Sequence, residues 1–341
     1  MCAKNNVTTT KRHTTKSKNN LSRPFIPILL SLDSLLALLQ ISRLFPMFLV
    51  NPDEMLQHGL SIVGRQSNRN KEFKASAKNR KRFKKFYGST EEVVAVIWGE
   101  LQTTNVPEAK VSDAKEKDLS MFLLACHHAK GYAVLETLAK AFGVCEDTAS
   151  HWARYYLKKL AVLKEHKIVW PTDFQGRKFI LSVDCVNFGI NEPRHPVLHK
   201  VREFFDRKGG KAGLTYEIAL DLWSSNIIWL HGPFPSATGD QRIFKEEGLC
   251  DEMPEGTKAI ADKVYKGQNK ISLHNSLDDE EVREFKRRAR ARQESVNARL
   301  KSFECLKQRF RHGVKNHHIY VHDVAVMLTF QMENGSPLFH I

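Results

Sequence analysis

Four acidic side chains, Asp184, Asp240, Asp262 and Glu294, stand 56, 22 and 32 residues apart, so only a folded chain can gather them. Three fall at or just after predicted strand ends, and the fourth sits on a long predicted helix. Carboxylates in such places are costly unless solvated, paired or bound to a cation. Brought to one point, they are hard oxygen donors of the kind Mg²⁺ and Mn²⁺ accept. Two such ions about 4 Å apart can activate an attacking water or 3′-hydroxyl and stabilise the leaving oxygen of a phosphodiester, with no side-chain nucleophile. Taken singly, each acid has a plainer role. Asp240 can cap helix N–H groups, and Glu294 can pair with Arg290 one turn away. All four are metal candidates, and element order favours Asp262 over Asp240 as the central carboxylate.

The elements that must position these acids are legible as patterns. Lys178–Val183 reads as a strand running into Asp184. Leu214–Leu222 and Asn226–Leu230 read as a hairpin turned at Ser224–Ser225. Gly232-Pro-Phe-Pro235 reads as a stiff loop, Asp240–Gly248 as a short helix and Lys258–Ala261 as a short strand before Asp262. Asp278–Arg311 reads as one long helix, with Phe285, Ala289, Val296, Leu300, Phe303 and Phe310 at helical spacing. Three strands, a helix, a strand, then a helix bearing an acid is the element order of ribonuclease H-like nucleases, an analogy that raises expectation without proving function.

Upstream, Thr90 caps a predicted helix over 90–102. Between Asp118 and Leu163 three helices follow, broken at Gly131 and Gly143. A helix, a Gly-containing turn and a helix is the helix-turn-helix pattern. If the last helix enters a major groove, Glu146, Asp147, Thr148, Ser150, His151 and Arg154 face the bases. Two acids there make a poor phosphate face, and a merely packed bundle has the same pattern. The expected organisation is a basic arm and helical segment over 1–85, a helical, helix-turn-helix-like domain over 86–170, and an α/β domain over 171–341 with a mixed sheet flanked by helices.

Charge is segregated along this plan. Residues 1–85 hold 17 Lys/Arg against 4 Asp/Glu, whereas residues 86–341 hold 36 against 34. A basic arm suits a polyanion, most simply nucleic acid, and equally a nuclear-import signal. Its densest run, 65–85, interleaves cations with Phe73 and Phe83 and reads as a phosphate-contacting patch or a solvated helix. The apolar stretch Phe25–Val50 is interrupted by Pro27, Asp33, Gln40, Arg43 and Pro46, so a soluble helix over 28–44 is expected there and no membrane span. The six cysteines include no C-x-x-C pair, which argues against a zinc ribbon or a disulfide scaffold. His318 and His322 have a spacing that can bind zinc, but no Glu or thiolate accompanies them. With His312 and His317 they read as a solvated or DNA-facing cluster. Lys263, Lys266 and Lys270, and Arg287, Arg288, Arg290 and Arg292, read as phosphate contacts or solvated faces. No P-loop, G-x-G-x-x-G or nucleophile elbow is present, which leaves nucleotide-cofactor chemistry without support.

Four ordered blocks resemble Harbinger-type DDE transposases. Ser182-Val183-Asp184-Cys185-Val186 resembles their first-aspartate strand. The run from Gly232 through Asp240 to Phe244 is similar to their loop ending in Asp and a short helix. Ala261-Asp262-Lys263-Val264-Tyr265 is similar to their Ala-Asp-Lys-Gly-Tyr block. Arg290-Ala-Arg-Gln-Glu294, continuing through Leu300-Lys301 to Phe310-Arg311, resembles their acid-bearing helix. The similarity covers roughly 115–332. It implies a ribonuclease H-like catalytic domain in which Asp184, Asp262 and Glu294, with Asp240, hold divalent metal (Mg or Mn). It further implies cutting and joining of double-stranded DNA in the nucleus, beside a separate Myb-like DNA-binding protein and as a possible homo-oligomer. Cys185 and Val264 stand where that family has Gly. These departures keep open a domesticated, catalytically inactive DNA-binding descendant.

Overall fold

The computed structural model describes residues 50–63, 73–113, 118–193, 202–224 and 226–341. The helix expected over 28–44, and Arg65, Arg69 and Lys71 of the basic run, lie outside the described residues. The chain opens on helices α1 (Pro52–Ile62), α2 (Ala77–Tyr87), α3 (Glu91–Thr103), α4 (Leu119–Gly131), α5 (Leu135–Phe142), α6 (Glu146–Val162) and the single turn α7 (Lys164–Lys167). Three of their starts follow ordinary capping chemistry. Asn51, Ser76 and Asp118 each accept a first-turn N–H, which satisfies donors that no helix can satisfy internally. Gly143 takes the left-handed conformation that ends α5, at φ 66°, and α6 begins three residues later.

Strands follow: β1 (Phe179–Gly189), β2 (Phe205–Asp206), β3 (Lys211–Asp221), β4 (Ile227–Pro235), β5 (Lys258–Ile260) and β6 (Ile271–Ser272). Among the described residues they form one six-stranded mixed sheet. β1 runs antiparallel to β3 and parallel to β5, β5 runs parallel to β6, and both β4 and the short β2 pair with β3. Helices α8 (Asp240–Glu246) and α9 (Leu249–Glu252) lie between β4 and β5, and α10 (Glu280–Leu300), α11 (Glu304–Lys307) and α12 (His317–Glu333) complete the chain.

Three expectations are corrected. β1 does not stop before Asp184, because β3 pairs with it continuously from Leu181 to Gly189. Gly232–Pro235 is no free loop: it belongs to β4, with Phe234 opposite Thr215 and Pro235 opposite Leu214. The long helix ends at Leu300. Phe303 caps the next short helix. Phe310 lies on extended chain, its N–H donating to the Gly189 carbonyl.

The core is built around α12, whose residues from Val324 to Met332 are all buried. One continuous apolar cluster joins this helix to α3, α4 and α6 on one side and to β1, β3 and β4 on the other. His317 is part of that core. Its Nδ1 meets the Tyr216 hydroxyl at 2.9 Å and its ring packs on Phe310, so it is no surface residue. Among the described residues no helix is long and apolar enough to cross a membrane.

Gly88 fixes α2 to this body. It ends α2 at φ 83°, and a Cβ there would meet the Phe303 ring at 2.5 Å. Gly88→Ala therefore combines an unfavourable φ with a clash against a buried aromatic. It is expected to cost about 2 kcal/mol, read as a lower urea midpoint at unchanged m-value.

Candidate active site

The pairing of β1 with β5 is the starting point. Ser182 lies opposite Ile260, so Asp184 and Asp262 follow two residues further along neighbouring parallel strands, which run about 4.8 Å apart. β5 ends at Ile260 while β1 continues, and the shorter strand leaves an open notch beside Asp184. Asp262 turns the chain there, its Oδ1 accepting the Val264 N–H at 2.8 Å. Asp240 is the first residue of α8, after the N-cap Gly239, and its carboxyl is helped by its own backbone N–H.

Side chains two apart on a strand share a face, and Ser182 and Asp184 both face α10. The Ser182 hydroxyl donates to Gln293 Oε1 at 2.8 Å, and Asn297 Nδ2 donates to Asp184 Oδ2 at 2.8 Å. Gln293 and Asn297 are one helical turn apart, which registers α10 on β1. Glu294 sits on the flank of this stripe, solvent-exposed. It lines a small cleft of about 70 Å³ together with Asp184, Asp262 and Arg290. Among the described residues Arg290 and Glu294 form no ion pair, so the pairing considered for Glu294 is not made. Asp184, Asp262 and Glu294 are brought to one place. Asp240 is not among the residues lining it.

Asp240 approaches from the other face of β1. Cys185 points that way, its thiol bonded to Asp240 and receiving the Tyr265 hydroxyl at 3.4 Å. Glu217, opposite Cys185 in the β1–β3 ladder, is wholly buried and accepts from Trp229 Nε1 at 3.1 Å. Neither Glu217 nor Asn297 stood out in the sequence. An acid inside the apolar run Leu214–Leu222, and an amide three residues after Glu294, were the available signals.

Burial first, then the negative charges of Asp240 and Asp262, raise the Asp184 carboxyl to about 6, despite help from Asn297 and the Cys185 backbone. Asp240 is raised mainly by burial and then by Asp262, with Lys208 opposing. Burial holds Glu217 at about 8. Repulsion of this kind is what a bound cation relieves, and the donors are the hard oxygens that Mg²⁺ or Mn²⁺ takes. As placed, however, no three His, Cys, Asp or Glu side chains among the described residues stand close enough to hold an ion. One oxygen each of Asp184 and Asp262 is engaged by Asn297 and the Val264 N–H. The cleft fits a hard divalent cation by donor type and charge, and its carboxyls are not drawn into a coordination shell.

The neighbouring cations are mostly committed elsewhere. Arg292 is buried and donates to the carbonyls of Asp221 and Leu222, both at 2.8 Å. Arg287 pairs with Glu284 and Arg288 with the His340 carbonyl. Lys270 ties down Met253 and Cys250 carbonyls. Of the expected phosphate contacts in these two runs, Arg290 lines the cleft, and Lys263 and Lys266 remain exposed.

Residues 183–329 match the model of the family described as DDE superfamily endonuclease. That stretch holds Asp184, Glu217, Asp240, Asp262, Glu294 and Asn297, and its likeness is to transposase-like nucleases that act on DNA. No curated protein and no solved structure gives a significant match to the chain.

A pH experiment follows from Asp184. Its carboxyl sits above the ordinary 3.8 in the folded chain, so the native state holds the proton more tightly than the unfolded one. The resulting penalty is absent below about pH 4, grows between about 4 and 6 and is complete above 6. In metal-free buffer Asp184→Asn is expected to raise stability at pH 7 by roughly 2 kcal/mol and to leave it unchanged at pH 4. Urea midpoints across that range check it, and equal midpoints at pH 7 contradict it.

Proposed function

We propose that this chain is a metal-dependent DNA endonuclease of the transposase type, close to the Harbinger kind, that cuts and joins phosphodiester bonds. The observation that carries the reading is the meeting of Asp184, Asp262 and Glu294 around one cleft, from two neighbouring strands and a helix. A ribonuclease H-like fold for residues 171–341 is supported by the sheet, in which an antiparallel pair flanks β1 on one side and parallel strands on the other.

Asp184, Asp262 and Glu294 would hold the ions, with Asp240 adding negative potential from behind β1. Bound Mg²⁺ or Mn²⁺ supplies polarisation of the attacking and leaving oxygens of the phosphodiester. Asn297 is a positioning residue: its amide orients the Asp184 carboxylate. Arg290, at the cleft rim, suits a non-bridging phosphate oxygen through its planar donors. The exposed start of α6, with His151 and Arg154, offers a contact to the duplex in helix-turn-helix fashion. Nuclear location, a Myb-like partner protein for end recognition, and self-association belong to the same proposal.

A second reading, a domesticated DNA-binding descendant without cleavage, is favoured by Cys185. Its thiol occupies the Asp240 carboxylate, where the resembling family has glycine. Plasmid nicking with Mg²⁺ separates the two. Wild type is expected to nick, and Asp184→Ala, Asp262→Ala and Glu294→Ala each to lose about a hundredfold or more. Asp240→Ala should lose less. Equal rates in wild type and all three variants remove the assigned chemistry, and no nicking by wild type beside intact DNA binding selects the second reading.

A further inference from the structure

Past Glu294, α10 runs out of the acidic cleft and into a second concave surface of opposite charge. This groove, about 790 Å³, is lined by α2, the end of α4, the last turn of α10 (Ala298 and Arg299) and Ser302 just beyond it. Lys78, Lys81, Lys84 and Lys85 form one wall and Lys130 and Arg299 the other, with no carboxylate in the lining.

The two walls are built differently. Lys130 donates to the Ser302 carbonyl and lies 5.0 Å from the centre of the Phe303 ring. Arg299 donates to the Ser336 carbonyl at 2.7 Å. These two are fixed. The four lysines of α2 are exposed and none joins an ion pair among the described residues. The nearby acids have gone to Arg80 instead, which faces away and gathers Asp53, Glu91 and Glu92. Lys78, Lys81 and Lys85 recur at the spacing of one helical face.

Nor is α2 a loose tail. Phe83 and Tyr87 are fully buried beneath it, the Tyr87 hydroxyl donates to the Gly59 carbonyl at 2.6 Å, and Gly88 seats it on Phe303. The fold therefore holds a row of like charges side by side on a rigid helix, a spacing that suits a ligand with regularly spaced negative charge and releases bound counterions when such a ligand docks. At 1.5 Å per residue, Ala298 lies about 6 Å and Arg299 about 7.5 Å beyond Glu294 along α10. Phosphates on one DNA strand advance about 3.4 Å per step, so the groove begins about two steps from the cleft.

We propose that this groove is the seat of the phosphate backbone of duplex DNA, beside the acidic cleft, with the α2 lysines as its contacts. Its place relative to a cut rests on the nuclease reading; the binding itself does not. The contacts are to phosphate, so they carry no base sequence and set position only.

The test uses the full chain, a fluorescently labelled 30-base-pair duplex and EDTA, so that cleavage is irrelevant. Binding is measured by anisotropy between 50 and 200 mM NaCl. The triple variant Lys78→Gln, Lys81→Gln, Lys85→Gln is expected to flatten the slope of log K against log salt by about 2.7, or 0.9 per lost phosphate contact. The matching triple Lys→Arg variant should keep the wild-type slope, and thermal melts confirm that both fold. An unchanged slope in the Gln variant overturns the proposal. So does an equal loss in the Arg variant, or binding to phosphatidylserine vesicles with none to the duplex. A chain that cannot nick DNA still passes or fails this test on its own.

Discussion

The hydrogen bonds between β1 and β5 set the spacing on which the site depends. β1 has an antiparallel neighbour on one side and a parallel one on the other. Because β5 is only three residues long, Asp262 leaves the sheet where Asp184 is still held within it. Two carboxylates thereby line one cleft. One is rigid and largely buried, the other sits at a turn. A longer β5 would extend past Asp184 and close the notch. A β1 that ended at Asp184 would lose the β3 pairing that fixes its direction.

The third carboxylate depends on how α10 is registered against the sheet. Gln293 is the pin, since it receives the Ser182 hydroxyl and donates to the Ile218 carbonyl of β3 at 3.1 Å. Arg292, on the adjacent flank, donates to the β3 carbonyl of Asp221 and to that of Leu222 just beyond it. Three hydrogen bonds donated by two consecutive side chains leave α10 no freedom to slide by a residue. With 292 and 293 held in the interface, residue 294 must fall on the open flank, toward the cleft. The same register carries Ala298 and Arg299 into the basic groove, so one helix couples the two surfaces of opposite charge.

Most of this arrangement was written in local patterns. The break at Gly143 follows from turn rules because it depends on neighbours in the chain, and α3 starts after Thr90 as expected although the Thr90 side chain makes no cap hydrogen bond. What those rules could not reach depended on partners far away. The extension of β1 beyond Asp184 exists because β3 lies beside it. Gly232–Pro235 reads as a loop by composition, yet its backbone pairs with β3. Helix α12 escaped notice because it is apolar all round, and a helix buried on every side has no polar stripe to reveal its period. Its histidines were read as surface for the same reason. Of the candidate residues, Asp184, Asp262 and Glu294 stand in ordered blocks of the sequence, whereas Asn297 and Glu217 show only through contacts made across the sheet.

Glu217 shows how the fold limits the negative charge it has assembled. Its wholly buried carboxyl stays protonated at neutral pH, held at about 8 chiefly by burial with a contribution from Asp240. Were it ionised, its charge would add to that of Asp240, which already pushes Asp184 upward. Depth in the sheet therefore grades the acids. Glu217 on the inner face remains neutral, Asp184 titrates near 6, and Glu294 at the rim is solvated. Cys185, on the Asp240 side of β1, sets its thiol against the Asp240 carboxyl and receives the Tyr265 hydroxyl. A glycine there would remove the thiol and leave Asp240 without that partner.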